Sequence, residues 1–110
     1  MKSLSLIVLR CGDLEASRTF FSALGAVFAP EKHGSGPQHY ACTLGLLVLE
    51  LYPAGRRNIS HLRLGFVVDD LARTLEQVRH LGGTVLSESA GHAVVVDPDG
   101  NRIELTGEPT

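Results

Sequence analysis

Two glutamates and one arginine are the residues of this chain whose types and positions best suit chemistry. Glu50 and Glu104 each lie in an apolar, strand-like segment, and Arg63 lies between those segments. Carboxylates bind cations or move protons, whereas a guanidinium binds carboxylates and other anions. These three residues and Leu6 occupy matching places in the two halves of the chain. We therefore expect one site that draws on Leu6, Glu50, Arg63 and Glu104.

The two halves are recognised by helix-like segments that repeat without a gap. Asp13 precedes the first segment and Asp70 precedes the second, 57 residues later, and the closing glycines Gly25 and Gly82 keep the same offset. Aspartate before an apolar helical pattern favours an N-cap, and glycine favours a helix end. Strand-like segments surround both helices, so the pattern predicts βαβββ twice, in the α+β class.

The predicted domain organisation is simple. The 110 residues form a single domain with module one at 1–53, a linker at 54–60 and module two at 61–110. The chain is 44% hydrophobic and 20% charged, which is typical of a folded domain with a core. A net charge of −2 with scattered signs predicts no nucleic-acid partner, and the apolar runs are too short for a membrane span.

Strand alternation places the chemical residues on one side of each predicted sheet. In the strand after the linker, His61 and Arg63 point away from the face that carries the apolar side chains. The same alternation puts Glu50 and Tyr52 on the second face of the strand that ends module one. Glu104 takes this place in the last strand. We expect the two mixed faces to form a cleft with carboxylates, arginine and apolar walls, as in small-molecule sites.

The place of His39 depends on how its hairpin turns. A turn at Leu44 and Gly45 would put His39 opposite Glu50, whereas a turn one residue longer would put Tyr40 there. The segment before this hairpin is rich in glycine, proline and charge, so residues 32–38 are predicted to be a mobile lid that borders the cleft. The remaining histidines, His33, His80 and His92, are expected in a loop, at a helix end and at a strand start, without a role.

Two cysteines, Cys11 and Cys42, have no secretion signal near them. Such cysteines are typically reduced, because the cytoplasm keeps thiols reduced. Free cysteine is also among the most buried residue types. We therefore expect a cytoplasmic protein without a disulfide.

Several segments resemble the vicinal oxygen chelate superfamily, which includes glyoxalase I, bleomycin-resistance proteins, fosfomycin-resistance enzymes and extradiol dioxygenases. The segments are residues 12–14, 47–53 and 67–71 and, most specifically, 97–105 (DPDGNRIEL). The resemblance covers nearly the whole chain. It implies paired βαβββ units in a curved mixed sheet around an internal cleft, often within a homodimer.

The resemblance also raises the question of whether this chain binds a metal ion. Metal enzymes of this superfamily take histidine or glutamate ligands at the four matching positions, and the divalent ion acts as a Lewis acid. Glu50 and Glu104 match that pattern. Leu6 cannot coordinate a metal, and Arg63 repels a cation. A metal site made by Glu50, Glu104 and either His61 or His39 is therefore the alternative, and the absence of a cofactor is the expectation.

The function expected from the sequence is metal-independent binding of a small molecule by a protein of the glyoxalase/bleomycin-resistance type. Arg63 would orient an anionic or carbonyl-bearing ligand, and Glu50, Glu104, His39 and Tyr52 would complete the binding residues. Arg63 is predicted to contact one or both glutamates in a buried network, so that its removal destabilises the protein markedly. The alternatives are a metal-dependent lyase, isomerase or dioxygenase (lactoylglutathione lyase-like) and a structural dimerisation module with a filled cleft.

Overall fold

The computed structural model describes residues 1–108 and contains the predicted elements in the predicted order. They are β1 (Leu6–Cys11), α1 (Leu14–Ala23), β2 (Ala29–Glu31), β3 (His39–Leu44), β4 (Leu47–Pro53), β5 (Leu64–Val68), α2 (Leu71–His80), β6 (Thr84–Ser89), β7 (His92–Val96) and β8 (Arg102–Gly107). The α+β class and the tandem βαβββ modules are confirmed. The last two positions of predicted module two, 109 and 110, lie outside the described residues. Within the described range, no helix is long and apolar enough to span a membrane.

Each module forms its own four-stranded mixed sheet. Sheet A has the order β1-β4-β3-β2, and sheet B has the equivalent order β5-β8-β7-β6. In both, the first two strands pair in parallel and the others pair antiparallel. Across residues 1–108, no strand of sheet A is hydrogen-bonded to a strand of sheet B. The identical strand order follows from the repeated sequence pattern.

Both helices begin at the predicted aspartates. The side chain of Asp13 accepts a hydrogen bond from the backbone N–H of Ala16 at 3.0 Å, and Asp70 accepts one from Arg73 N–H at 3.1 Å. Each cap satisfies an N–H that the first turn leaves without an intrahelical partner. The sequence prediction of matched helix starts is therefore confirmed.

The core lies on the helix side of the two sheets and joins the modules. Leu49 and Leu51 of β4 and Ile103 and Leu105 of β8 are almost completely buried. They contribute to one continuous hydrophobic cluster that also includes residues of both helices. Phe21 of α1 contacts Phe66 of β5 edge to face, with ring centroids 6.2 Å apart. The helix-side faces are thus used for folding, and the opposite, mixed faces remain for function.

Module two begins its first strand later than predicted. The backbone N–H of Leu62 donates to the side-chain oxygen of Asn101 at 2.7 Å instead of entering the β5–β8 ladder. Before it, Ser60 exchanges hydrogen bonds with the backbone of Arg10 in β1. The predicted strand from residue 61 is therefore wrong at its start, and Leu62 is exposed rather than part of the core. Arg63 is the last residue before β5.

The β3–β4 hairpin has neither of the two predicted registers. Leu44 pairs with Leu47, so the turn consists of Gly45 and Leu46. Gly45 has a φ of +60°, the conformation that the first central position of a two-residue hairpin turn of this kind requires. As a result, Ala41 lies opposite Glu50, and neither His39 nor Tyr40 does.

Candidate functional site

One row of side chains crosses the mixed face of sheet A. Glu31 of β2 pairs with His39 of β3, and Tyr52 of β4 pairs with Arg10 of β1. The β3–β4 register places His39 beside Tyr52, and their rings stack with centroids 4.0 Å apart and planes 10° from parallel. The guanidinium of Arg10 lies over the Tyr52 ring, 5.5 Å from its centroid. The row therefore holds the imidazole of His39 in a fixed plane.

His39 is the most enclosed polar residue of this face. It is only 1% exposed, although the sequence placed it at a loop exit. Its Nδ1 lies 3.3 Å from the carbonyl oxygen of Pro37. Its Nε2 lies 3.6 Å from a carboxylate oxygen of Glu31 and 3.6 Å from one of Glu50. Among the described residues, that buried Nε2 has no hydrogen-bond partner.

His33 approaches the same point from the segment between β2 and β3. A turn closed by the Gly36 N–H and the His33 carbonyl, 2.9 Å apart, bends this segment back over the sheet. The His33 ring lies 5.2 Å from the His39 ring, centroid to centroid. One possible ligand atom from each of Glu31, His33 and His39 falls within 4.8 Å of the other two. The predicted lid segment therefore lies beside His39 through His33, and its mobility stays a prediction.

The mixed face of sheet B carries a second polar group centred on Glu104. Arg63 Nε donates to one carboxylate oxygen at 2.8 Å, and His92 Nε2 lies 3.2 Å from the other. The hydrogen bond from Arg63, followed by that from His92, holds the pKa of Glu104 below its ordinary value. Both partners are open to solvent, since the side chains of Arg63 and Glu104 are 55% and 39% exposed.

The structure separates residues that the sequence placed in one cleft. The predicted contact of Arg63 with Glu104 is confirmed. The prediction that this network is buried is wrong, because the Arg63–Glu104 pair is exposed, and Glu50 lies apart from it on sheet A beside His39. His61 is exposed, and its charge acts on Asp99: burial raises the pKa of Asp99, and His61 partly offsets this rise. Glu50, Glu104 and His61 therefore do not meet within one chain.

Two of the concave spaces of the molecule lie on the helix side. One, of about 190 Å³, is lined by residues that include Phe21, Leu49 and Phe66 at the module junction. Another, of about 560 Å³, lies between the start of α1 and the segment that includes Asp97. Neither includes Glu50 or Glu104. The polar residues of both mixed faces therefore lie outside these two spaces.

Comparison with known proteins identifies the fold. The sequence profile of a family described as "Glyoxalase-like domain" matches residues 6–106. The chain belongs to the glyoxalase-like domain family. This membership confirms the resemblance to the vicinal oxygen chelate superfamily. No curated protein matches the sequence.

Solved structures with the same fold cover nearly the full length of this glyoxalase-like chain. The trypanothione-dependent glyoxalase I of Leishmania major is 24% identical, with a TM-score of 0.76 and coverage of 98% of this chain and 88% of that one. A glyoxalase-related enzyme from Fulvimarina pelagi is 21% identical, with a TM-score of 0.69 and coverage of 99% and 90%. The fosfomycin resistance protein FosX from Mesorhizobium loti is 19% identical, with a TM-score of 0.69 and coverage of 94% and 88%. At these identities the likeness shows the fold alone.

The residues present do not fit a metal at the four positions that this superfamily uses. Leu6 is aliphatic and exposed at the start of β1, opposite Val48. Arg63 is cationic and contacts Glu104, so a metal ion there would meet a positive charge and compete with the ion pair. Glu50 and Glu104 belong to different sheets. We therefore derive no chemistry through a metal at this set of positions.

Sequence reasoning missed three polar residues of the two faces: Glu31, His33 and His92. Strand parity was the signal for His92, because this residue pairs with Thr106 and thus shares a face with Glu104. Residues 31–38 were predicted to form a loop because they are rich in glycine, proline and charge. The pairing of β2 with β3 instead decides the place of Glu31, at the end of β2.

Proposed function

We propose that this glyoxalase-like protein binds a small organic molecule with a carboxylate or adjacent carbonyl group on the mixed face of sheet B. Arg63 is the anion-binding residue, and no metal at the superfamily positions takes part.

The observation that carries this proposal is the way in which Glu104 holds Arg63. Glu104 takes the Nε–H of the guanidinium, and the terminal nitrogens have no hydrogen-bond partner among residues 1–108. A guanidinium donates five hydrogen bonds in a fixed fork that suits a carboxylate. Since Nε is occupied and the side chain is half exposed, the free end of the fork is oriented by protein and open to a ligand.

The surroundings of this pair suit a small ligand. Gly65 lies opposite Glu104 in the parallel β5–β8 pair, so no side chain from β5 covers the carboxylate there. Val67, two residues further along the same face, is 69% exposed and provides an apolar surface. Val94 lies on the other side of Glu104. A few polar groups between apolar surfaces are typical of small-molecule sites.

We include a homodimer and a cytoplasmic location in this proposal. The exposed apolar side chain of Leu6 lies on the mixed face of sheet A, where a second copy would cover it. Glu50, His39 and Tyr52, which the sequence predicts as ligand-binding residues, lie on sheet A. In such a dimer they would either line a separate site or face the anion site of sheet B. The cytoplasmic location is supported by Cys11 and Cys42, which are both free and buried. A resistance role towards bleomycin-like compounds stays a prediction of the resemblance.

Pyruvate is a suitable first probe, since it combines a carboxylate with an adjacent carbonyl. Calorimetric titration in the presence of EDTA should detect binding to the unmodified protein. Arg63→Gln should weaken it about 10-fold or more, because a hydrogen bond to a charged group is removed. Arg79→Gln is the matched control. Arg79 lies on α2, away from the mixed face of sheet B; it is similarly exposed and donates a hydrogen bond to Glu88 at 2.7 Å.

Three outcomes decide the proposal. Loss of binding in Arg63→Gln but not in Arg79→Gln supports it. Equal affinity of all three proteins would show that Arg63 is not the anion-binding residue and would overturn the proposal. Failure of the unmodified protein to bind either pyruvate or inorganic phosphate would overturn the ligand class as well.

A further inference from the structure

We propose that Glu31, His33 and His39 bind a divalent transition metal ion such as Zn²⁺, at a site in module one that does not coincide with the superfamily positions. The site is formed by the end of β2, the start of β3 and the turn between them. It is independent of the anion site on sheet B, which belongs to the other module.

The three side chains converge because of strand pairing. Glu31 and His39 are direct partners in the antiparallel β2–β3 pair, so they share one face. His33 follows Glu31 by two residues, at the start of the turn closed by Gly36, and its ring lies 5.2 Å from the His39 ring. Their ligand atoms lie within 4.8 Å of one another, and no other group of three such residues does so in the described part of the chain.

The unpartnered nitrogen of His39 points to an absent cation. The Pro37 carbonyl can only accept, so Nδ1 carries the hydrogen of that contact and Nε2 faces the carboxylates of Glu31 and Glu50. The two distances of 3.6 Å are too long for N–H···O hydrogen bonds, which span about 2.7–3.2 Å. Two ligands of one tetrahedral ion with bonds of about 2.1 Å lie about 3.4 Å apart. The spacing around Nε2 is therefore that of metal ligands.

The protein also holds the His39 ring as metal sites usually hold theirs. Metal-ligating histidines typically donate their other ring N–H to a backbone carbonyl or carboxylate, which fixes the tautomer. Pro37 provides that carbonyl here, and the stacked Tyr52 ring fixes the plane of the imidazole. A buried ring held in this way has little rotational freedom left to lose when it binds an ion.

The ligand chemistry selects the class of metal. Two imidazoles and a carboxylate suit borderline ions such as Zn²⁺, Co²⁺ and Ni²⁺, whereas Mg²⁺ and Ca²⁺ prefer oxygen ligands. Three protein ligands leave a coordination position open. Glu50, which is largely buried, lies 3.6 Å from His39 Nε2 and adds negative charge beside the ion.

Calorimetric titration of the purified, EDTA-treated protein with Zn²⁺ tests this site. We expect one ion per chain. His33→Gln and Glu31→Gln should each weaken binding at least about 10-fold, since loss of residues that merely support ligands already costs 10- to 100-fold. Both residues are at least partly exposed, so both variants should fold. His80→Gln and Glu76→Gln on the exposed side of α2 are the matched controls.

A cobalt titration adds a readout that a structural role would not move. Co²⁺ bound to two imidazoles and a carboxylate should give intense visible absorption, which His33→Gln weakens and His80→Gln does not. Absence of Zn²⁺ binding would overturn the proposal. Binding that survives His33→Gln and Glu31→Gln but not His61→Gln would also overturn it, in favour of a site elsewhere. Because pyruvate binding is measured with EDTA present, either proposal can fail without the other.

Discussion

Replacement of Asn101 by alanine should destabilise the whole molecule, because this buried amide joins the β7–β8 turn to the segment that precedes β5. Its Oδ1 accepts from the Leu62 backbone N–H at 2.7 Å, and its Nδ2 donates to Asp97 at 2.9 Å. Asp97 is itself buried in the turn between β7 and β8. The alanine variant removes both bonds and leaves one oxygen of a buried carboxylate without its donor.

The expected loss of unfolding free energy is about 3 kcal/mol. The bond to the charged Asp97 contributes about 1.5–3 kcal/mol, and the neutral bond to Leu62 contributes about 1 kcal/mol, since water can replace part of it. For a chain of this length, 1 kcal/mol corresponds to about 4 °C in Tm, so the midpoint should fall by about 12 °C. Thermal and urea unfolding followed by circular dichroism would measure both quantities.

Two variants make this test specific. Asn58→Ala in the exposed linker should change Tm by no more than about 2 °C, because exposed substitutions without partners have small effects. Asn101→Asp preserves size but places a second carboxylate against Asp97, so it should destabilise at least as much as alanine. If Asn101→Ala unfolds within 2 °C of the unmodified protein, the turn does not hold the segment before β5 as described.

Three other changes have distinct expected results. Arg63→Gln should leave the fold intact and raise the pKa of Glu104 towards its ordinary 4.5, as measured by NMR titration. Since the folded pKa is depressed, the stability that the pair contributes is present above pH 4.5 and is lost as pH falls below it. A stability difference between the two proteins that does not change with pH would contradict this. Gly83→Ala should lower the free energy of unfolding in urea by about 1–3 kcal/mol. The added Cβ would lie 2.8 Å from the side chain of Val78 in α2 and 2.9 Å from its carbonyl oxygen. An unchanged unfolding midpoint would contradict this contact. Asp13→Ala and Asp70→Ala should each cost about 1 kcal/mol, and a loss in only one would show that the two caps are not equivalent.

The features that sequence predicted well are local ones. The caps at Asp13 and Asp70 depend only on residues within one helical turn, so their chemistry is visible in the sequence. Strand alternation likewise placed Leu49 and Leu51 in the core and Glu50 on the opposite face, because the side-chain period of a strand is fixed. Arg63 and Glu104 met for the same reason, since Arg63 immediately precedes β5, the parallel neighbour of β8.

The features that sequence failed to predict depend on how strands pair and where they begin. The β3–β4 hairpin turns at Gly45 and Leu46 rather than at Leu44 and Gly45, which put Ala41 rather than His39 opposite Glu50. The start of β5 depended on a hydrogen bond to Asn101, 39 residues away. Separation of Glu50 from Glu104 followed from the formation of two sheets instead of one continuous cleft. The last two depend on residues far apart in the sequence and leave no local signal.

Chemical-shift mapping with pyruvate tests most directly whether the face of sheet B binds a small anion through Arg63. In ¹⁵N-labelled protein with EDTA present, the account predicts saturable shifts of the Gly65, Val67 and Glu104 amides and of the Arg63 Nε–H signal. These shifts should be absent in Arg63→Gln. Shifts confined to residues 31–39 of module one, or unchanged by Arg63→Gln, would contradict the account.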